Sequence, residues 1–215
     1  MIDLHTHSLL SDGEFLVSEL TRRAEEKGYE VIGVTDHVDS SNIEKVIDGL
    51  LKASSVINKH SKIRMIPGVE ITHVPPKAIN SLVKLSRSKG IKLILVHGET
   101  IVECVKKGTN REAILSRPTI LTHPGLITIE DGRLAAKNGV YLEISARKGH
   151  SLTNGHVANI AKSVGAKLVL NTDSHTAADL ITKDEAVNIL LGSGLKEKEI
   201  KDVFKNSRDL ASRMT

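Results

Sequence analysis

Leu168-Val169-Leu170-Asn171-Thr172-Asp173-Ser174-His175, near the end of the chain, and Met1-Ile2-Asp3-Leu4-His5-Thr6-His7, at its start, each run from apolar residues into two ligand-type side chains spaced i, i+2. On an extended strand that spacing turns both side chains to one face, whereas on a helix they would lie on roughly opposite sides. Each stretch therefore reads as a strand whose C-terminal end aims two ligands at one cavity. Working outward, His37, Glu70, His97 and His123 stand at or just past the ends of other short apolar runs, and Asp12 follows the first pair. Six of the ten histidines thus join three carboxylates in one pattern. It reads as a metal site assembled from many loops.

The candidate strands are Ile2–Leu4, Val31–Thr35, Ile63–Val69, Lys92–Val96, Ile120–Thr122, Val140–Ile144 and Lys167–Leu170. Amphipathic stretches near Val17–Lys27, Ser41–Lys59, Pro76–Ser88, Asn110–Ser116, Ile129–Lys137 and Asn154–Val164 alternate with them, and Lys183–Leu191 and Lys196–Asn206 follow. Strands alternating with helices imply a parallel sheet. An open sheet would gather its ligands at one crevice served by a few neighbouring strands. Here six of the seven strand ends carry a ligand, and only a closed ring brings them all to one mouth. Glu143, in the remaining strand, is placed either to complete the site or to support it.

Composition narrows the function. A chain of 215 residues, 40% hydrophobic, can bury one large core and is expected to form a single domain over 1–215. The 30 basic and 26 acidic residues are interspersed and the net charge is only +4, which argues weakly for nucleic acid. Aromatic residues are 2% of the chain and Trp is absent, so stacking platforms for single strands are poorly supplied. Cys104 is the only cysteine, which excludes an intramolecular disulfide framework and makes thiolate metal sites improbable. With no signal-like start and no membrane-length apolar run, the expected location is cytoplasmic, with no membrane partner. The oligomeric state is left open.

The motifs, in order, are His5-Thr6-His7-Ser8-Leu9-Leu10-Ser11-Asp12-Gly13, Thr35-Asp36-His37, Gly68-Val69-Glu70, Val96-His97-Gly98, Thr122-His123-Pro124-Gly125 and Thr172-Asp173-Ser174-His175. This ordered set resembles the PHP (polymerase and histidinol phosphatase) metal-dependent phosphoesterases over nearly the whole chain. The resemblance implies a distorted (β/α)7 TIM-like barrel, an α/β fold holding two or three divalent metal ions. By matching motif, His5, His7, Glu70 and Asp173 would hold one cation, with Glu70 bridging to a second held by His97 and His123. His37, His175 and Asp12 would surround a third. His5, His7, Glu70, His97 and Asp173 would then be the catalytic set as well as ligands. Nitrogen and oxygen donors without thiolate suit Zn²⁺, Mn²⁺ or Fe²⁺. Cations roughly 3.5–4 Å apart lower the pKa of a water, supply hydroxide near neutrality and stabilise an in-line phosphoryl displacement.

That chemistry needs no nucleophilic side chain, so Ser11, Ser145 and Ser174 are expected to be structural. Arg147, Lys148 and His150, just past the sixth strand, are the candidates for gripping the substrate's phosphate. Asp3 and Asp36 are placed to orient ligands. His60, His73 and His156 are left without partners by their positions, and the segment holding Glu99 and Lys107–Asn110 is a lid or an ordinary connection. The expected function is hydrolysis of a small phosphate ester, most simply a histidinol phosphate-like phosphomonoester. The alternatives are a nuclease of the same family and a non-catalytic RNA-binding barrel like a ribonuclease P subunit. A metal-free scaffold has no reason to keep nine coordinating side chains at strand ends, each costly to bury unpaired.

Overall fold

The computed structural model describes residues 1–214. Its strands are β1 (Ile2–Thr6), β2 (Val31–Val34), β3 (His37–Val38), β4 (Arg64–Ile71), β5 (Leu93–His97), β6 (Ile120–Thr122), β7 (Tyr141–Ser145) and β8 (Leu168–Asn171). Between and after them run α1 (Val17–Glu26), α2 (Ile43–His60), α3 (Ile79–Ser88), α4 (Thr109–Ser116), α5 (Ile129–Asn138), α6 (Asn154–Val164), α7 (Lys183–Gly192) and α8 (Glu197–Ser212). The strands pair in parallel in the order β1-β2-β4-β5-β6-β7-β8, and β3 lies beside the end of β4. This is the seven-stranded, nearly closed barrel expected of the alternation.

Helices cover the ring with apolar stripes, and α7 packs against α8. In α2, Ile43, Val46, Ile47, Leu50, Ser54 and Ile57 recur at helical spacing and are buried. Inside the ring, Leu4, Ile66, Leu93, Leu95, Ile120, Tyr141 and Val169 fill the barrel. Leu210 and Ala211 of α8 pack into that same cluster from the end remote from the ligand-bearing loops. The plug explains why α8 runs to Ser212 rather than stopping near Asn206: Val203, Ser207, Leu210 and Ala211 continue its buried stripe.

Two local departures from regular strands shape the mouth. The register between β1 and β2 shifts between Asp3 and Thr6, opposite Gly33, where an added Cβ would lie 2.9 Å from Leu4 Cα. This bulge re-aims the end of β1, so His5 and His7 reach the cavity without the unbroken alternation their spacing suggests. The second expected strand also breaks, ending at Val34 and resuming as β3 at His37. At the break, the Asp36 carboxylate accepts from Ser8 N (2.7 Å), Ser8 Oγ (2.8 Å) and Ser11 Oγ (2.7 Å), pinning the loop that follows His7.

The ring closes between β8 and β1 through side-chain and loop bonds. Asn171 Oδ1 accepts from Leu4 N at 2.9 Å, Asp173 N donates to His5 O at 2.9 Å, and His7 N donates to Ser174 O at 2.8 Å. Asp3 adds to the seam by accepting from Thr172 Oγ1 at 2.5 Å. Because Asn171 Nδ2 also donates to Glu143 Oε1 at 2.8 Å, truncating Asn171 strands the buried amide of Leu4 and takes one donor from the buried Glu143 carboxylate. Asn171→Ala is expected to cost roughly 2–4 kcal/mol in stability. Denaturant midpoints compared with the wild type measure it, and equal midpoints would show that the seam does not depend on this amide. Among the described residues, no helix is long and apolar enough to cross a membrane.

Candidate metal centre

Every ligand-type residue picked out from the sequence sits at the C-terminal mouth. His5 lies in β1, His37 opens β3, Glu70 is the penultimate residue of β4 and His97 ends β5. His7 and His123 follow β1 and β6 directly, and Asp173 and His175 lie two and four residues past the end of β8. His123 (φ 24°) and Asp173 (φ 54°) stand in the left-handed region that side chains other than glycine rarely occupy. Backbone strain held at two such side chains is a mark of a functional site.

The donor atoms face one another across short gaps. His5 Nε2 lies 3.3 Å from Glu70 Oε2 and 3.5 Å from Asp173 Oδ1. His7 Nε2 is 3.1 Å from Asp173 Oδ1, and His37 Nδ1 is 2.9 Å from Glu70 Oε2. His123 Nε2 approaches Glu70 Oε1 at 3.5 Å. At the rim, Asp12 Oδ1 lies 3.2 Å from His175 Nε2 and 3.7 Å from His37 Nε2. Sets of donors within 4.8 Å of one another include His5, His7 and Glu70; His5, His123 and Asp173; His7, Asp12, His37 and His175; and His97, His123 and His150.

Much of this polarity is unsatisfied. His5 Nε2, both ring nitrogens of His7, His123 Nδ1 and Asp173 Oδ1 are buried without a hydrogen bond of acceptable geometry. Buried polar atoms are ordinarily paired, and leaving several unpaired at one spot is costly. Nitrogen lone pairs and carboxylate oxygens turned toward one another are what a divalent cation requires, so the donor set fits such ions.

The surroundings orient this set. Glu143 Oε1 accepts from His5 Nδ1 at 2.8 Å and Oε2 accepts from His123 N at 3.0 Å, so Glu143 supports the ligands and turns His5 Nε2 toward the mouth. Thr122 Oγ1 donates to Glu70 Oε1 at 2.5 Å. The electrostatics are mutual. Burial disfavours a charge on His5, but Glu143, Glu70 and Asp173 outweigh it and raise its pKa well above the usual imidazole range. Burial likewise opposes ionisation of Glu70, yet His5, His123 and His37 hold its carboxyl well below the usual range. His7 is pushed down to about 3 by burial and by His37 beside it.

Beyond the nine, Arg147 lines the mouth, with Nη1 donating to Asp173 O at 2.8 Å and lying 2.6 Å from His175 Nδ1. His150 is buried and stacks on His123 with ring centroids 4.0 Å apart. Lys148, between them in sequence, is exposed. His73 does have partners, its ring lying 4.9 Å from that of His97 and its Nε2 3.2 Å from Glu103 Oε2. Sequence reasoning passed over Glu103, which sits in a loop with no periodicity. The three serines are tied to protein groups: Ser11 donates to Asp36, Ser145 Oγ accepts from Arg147 N and Ser174 donates to Thr176 O. His156 Nε2 ties to Ile127 O.

The family model described as PHP domain matches residues 3–115. The chain belongs to the PHP domain family. An uncharacterized protein of Methanocaldococcus jannaschii is 42% identical to this PHP chain over 204 residues, covering 94% of each. A protein of Thermoanaerobacter sp. named a probable phosphatase is 26% identical over 92% of this chain and 88% of its own length. Among solved structures, a chain of archaeal ribonuclease P with mature tRNA superposes with a TM-score of 0.74, covering 100% of this chain and 91% of that one at 17% identity. That likeness is one of fold.

Proposed function

We propose that residues 1–215 form one PHP-type barrel that acts as a metal-dependent phosphoesterase on a small phosphate ester, a histidinol phosphate-like phosphomonoester being the simplest case. The observation that carries this reading is the set of buried, mutually facing and unpaired donors at the mouth. The naming of a relative as a probable phosphatase agrees with it. His5, His7, Glu70 and Asp173 would hold one cation, Glu70 with His97 and His123 a second, and Asp12, His37 and His175 a third, as Zn²⁺, Mn²⁺ or Fe²⁺. Such cations acidify a water and offset the charge that builds on transferring phosphoryl oxygens.

The chain's own residues do the rest. Glu70 lies between the two inner sets, touching His5 on one side and His123 on the other. Arg147 faces the cavity from the β7 side, where its guanidinium would pair with non-reacting phosphoryl oxygens. His150 stands beside it, and the exposed Lys148 would reach only a substrate arm extending past the rim. The cavity is about 370 Å³, and its lining mixes Asp12, Asp39 and Glu103 with Arg147 and histidines. That size suits a small ester better than a strand. A cytoplasmic location completes the reading.

The test compares purified, metal-loaded protein on phosphomonoesters, cyclic phosphodiesters and single-stranded oligonucleotides. A phosphomonoester is expected to show the highest kcat/KM. An oligonucleotide that exceeds every phosphomonoester would establish a nuclease instead, and binding of RNA with no turnover of any ester would establish a non-catalytic barrel.

A further inference from the structure

The connection from β5 to α4 brings a carboxylate over the mouth that none of the proposed ligand sets includes. Glu103 Oε2 lies 3.1 Å from His97 Nε2 and 3.2 Å from His73 Nε2, while Oε1 lies 3.3 Å from His150 Nε2. His97 Nδ1 donates to Gly98 O at 3.2 Å, so neutral His97 presents the lone pair of Nε2 to that carboxylate. Thr100 Oγ1 holds His150 Nδ1 at 2.7 Å and turns its Nε2 the same way. A lone pair facing a carboxylate oxygen at such distances is repulsive unless a proton or a cation lies between them.

The loop is built to hold Glu103 there. Glu99 Oε1 accepts from Gly108 N and from Asn110 N, each at 2.9 Å, and Glu99 N donates to Asn110 Oδ1 at 2.9 Å. Gly125, at φ 60°, lets the neighbouring loop press so close that a Cβ there would lie 1.8 Å from Glu99 O. The connection is thus knitted into its neighbours. Glu103 itself remains 38% exposed, whereas Glu70 and Asp173 on the floor are buried.

We propose that Glu103 is a metal ligand: with His97 and His150 it closes over the cation on the β5 side of the mouth, and it is the carboxylate that a phosphate oxyanion displaces. The proposal rests on the metal-centre reading above and not on its substrate. His73, sharing Glu103 with His97, steadies the carboxylate from outside.

Calorimetric titration of chelator-stripped protein with Mn²⁺ and with Zn²⁺ tests it, using wild type, Glu103→Gln and Glu103→Ala. Wild type is expected to take up at least two equivalents. Both variants should keep the tightest equivalent unchanged and bind a weaker one about tenfold or more less tightly, within the range for loss of a residue serving a metal site. Metal-loaded Glu103→Ala should in turn bind inorganic phosphate more tightly than metal-loaded wild type. Unchanged affinities for every equivalent in both variants overturn the proposal and leave the metal centre standing. A wild type that takes up neither ion overturns both. Weakening in Glu103→Ala but not in Glu103→Gln would show a space-filling side chain rather than a ligand, and also overturns it.

Discussion

Glu70→Gln is expected to lose metal and turnover together. The substitution keeps the shape of a fully buried side chain but removes the charge that His5, His37 and His123 face from three directions. An amide offers one neutral oxygen where the carboxylate offers two anionic ones, so it cannot join the two inner donor sets. Bound metal, measured by elemental analysis, should fall by at least one equivalent per chain. Turnover should fall by more than the roughly 10–100-fold typical of residues that only orient a ligand. Arg147→Ala supplies the contrast. Its guanidinium contacts the Asp173 backbone and the Nδ1 edge of the His175 ring, with Nε 3.6 Å from Asp173 Oδ2, but it brings no lone pair to a cation, so metal content should stay and KM should rise. A Glu70→Gln protein with full metal and full turnover would mean that Glu70 does not bridge.

The position of Glu70 was legible in the sequence, and the reason is physical. A parallel barrel exposes only the C-terminal ends of its strands at one mouth, so a ligand-type residue closing an apolar run has one place to point. That geometry is local, and His5, His97 and Asp173 obey it as Glu70 does. The departures came from contacts between segments distant in the chain. The break between β2 and β3 is set by Asp36 capturing Ser8 and Ser11, a bond no window around Asp36 reveals. The last turns of α8 are buried by the barrel floor, and Ser207 interrupts the apolar pattern that would have marked them.

The rim was harder to read for a related reason. Glu103 and His73 lie in loops, where spacing carries no direction, and they meet only because β4 and β5 are neighbours in the ring. His150 was placed near the substrate by its loop, but its stacking on His123 depends on how β6 and β7 sit side by side. Strand ends can be located one at a time. Loop residues acquire partners only when the ring closes.

Removing the metals should lower thermal stability by a large margin. Cations held only by the folded chain stabilise it by mass action, about 4 kcal/mol for each ion present at a thousand times its dissociation constant. The apo protein also keeps the cost of the unpaired atoms of His5, His7 and Asp173, which nothing in the fold relieves. For a chain of this size 1 kcal/mol corresponds to roughly 2–4 °C, so two ions should separate the loaded and chelated melting temperatures by roughly 15–30 °C. The sign of the pH dependence follows from competition. Imidazoles must shed protons to bind metal, so metal affinity weakens as pH falls, and the gap between loaded and chelated protein should begin to narrow above the usual imidazole range, where metal-free His5 already holds its proton. Calorimetric scans with and without chelator at several pH values measure both effects. Coincident melting temperatures at neutral pH, in protein shown to have lost its metal, would mean that these donors satisfy one another and that the mouth is no metal centre.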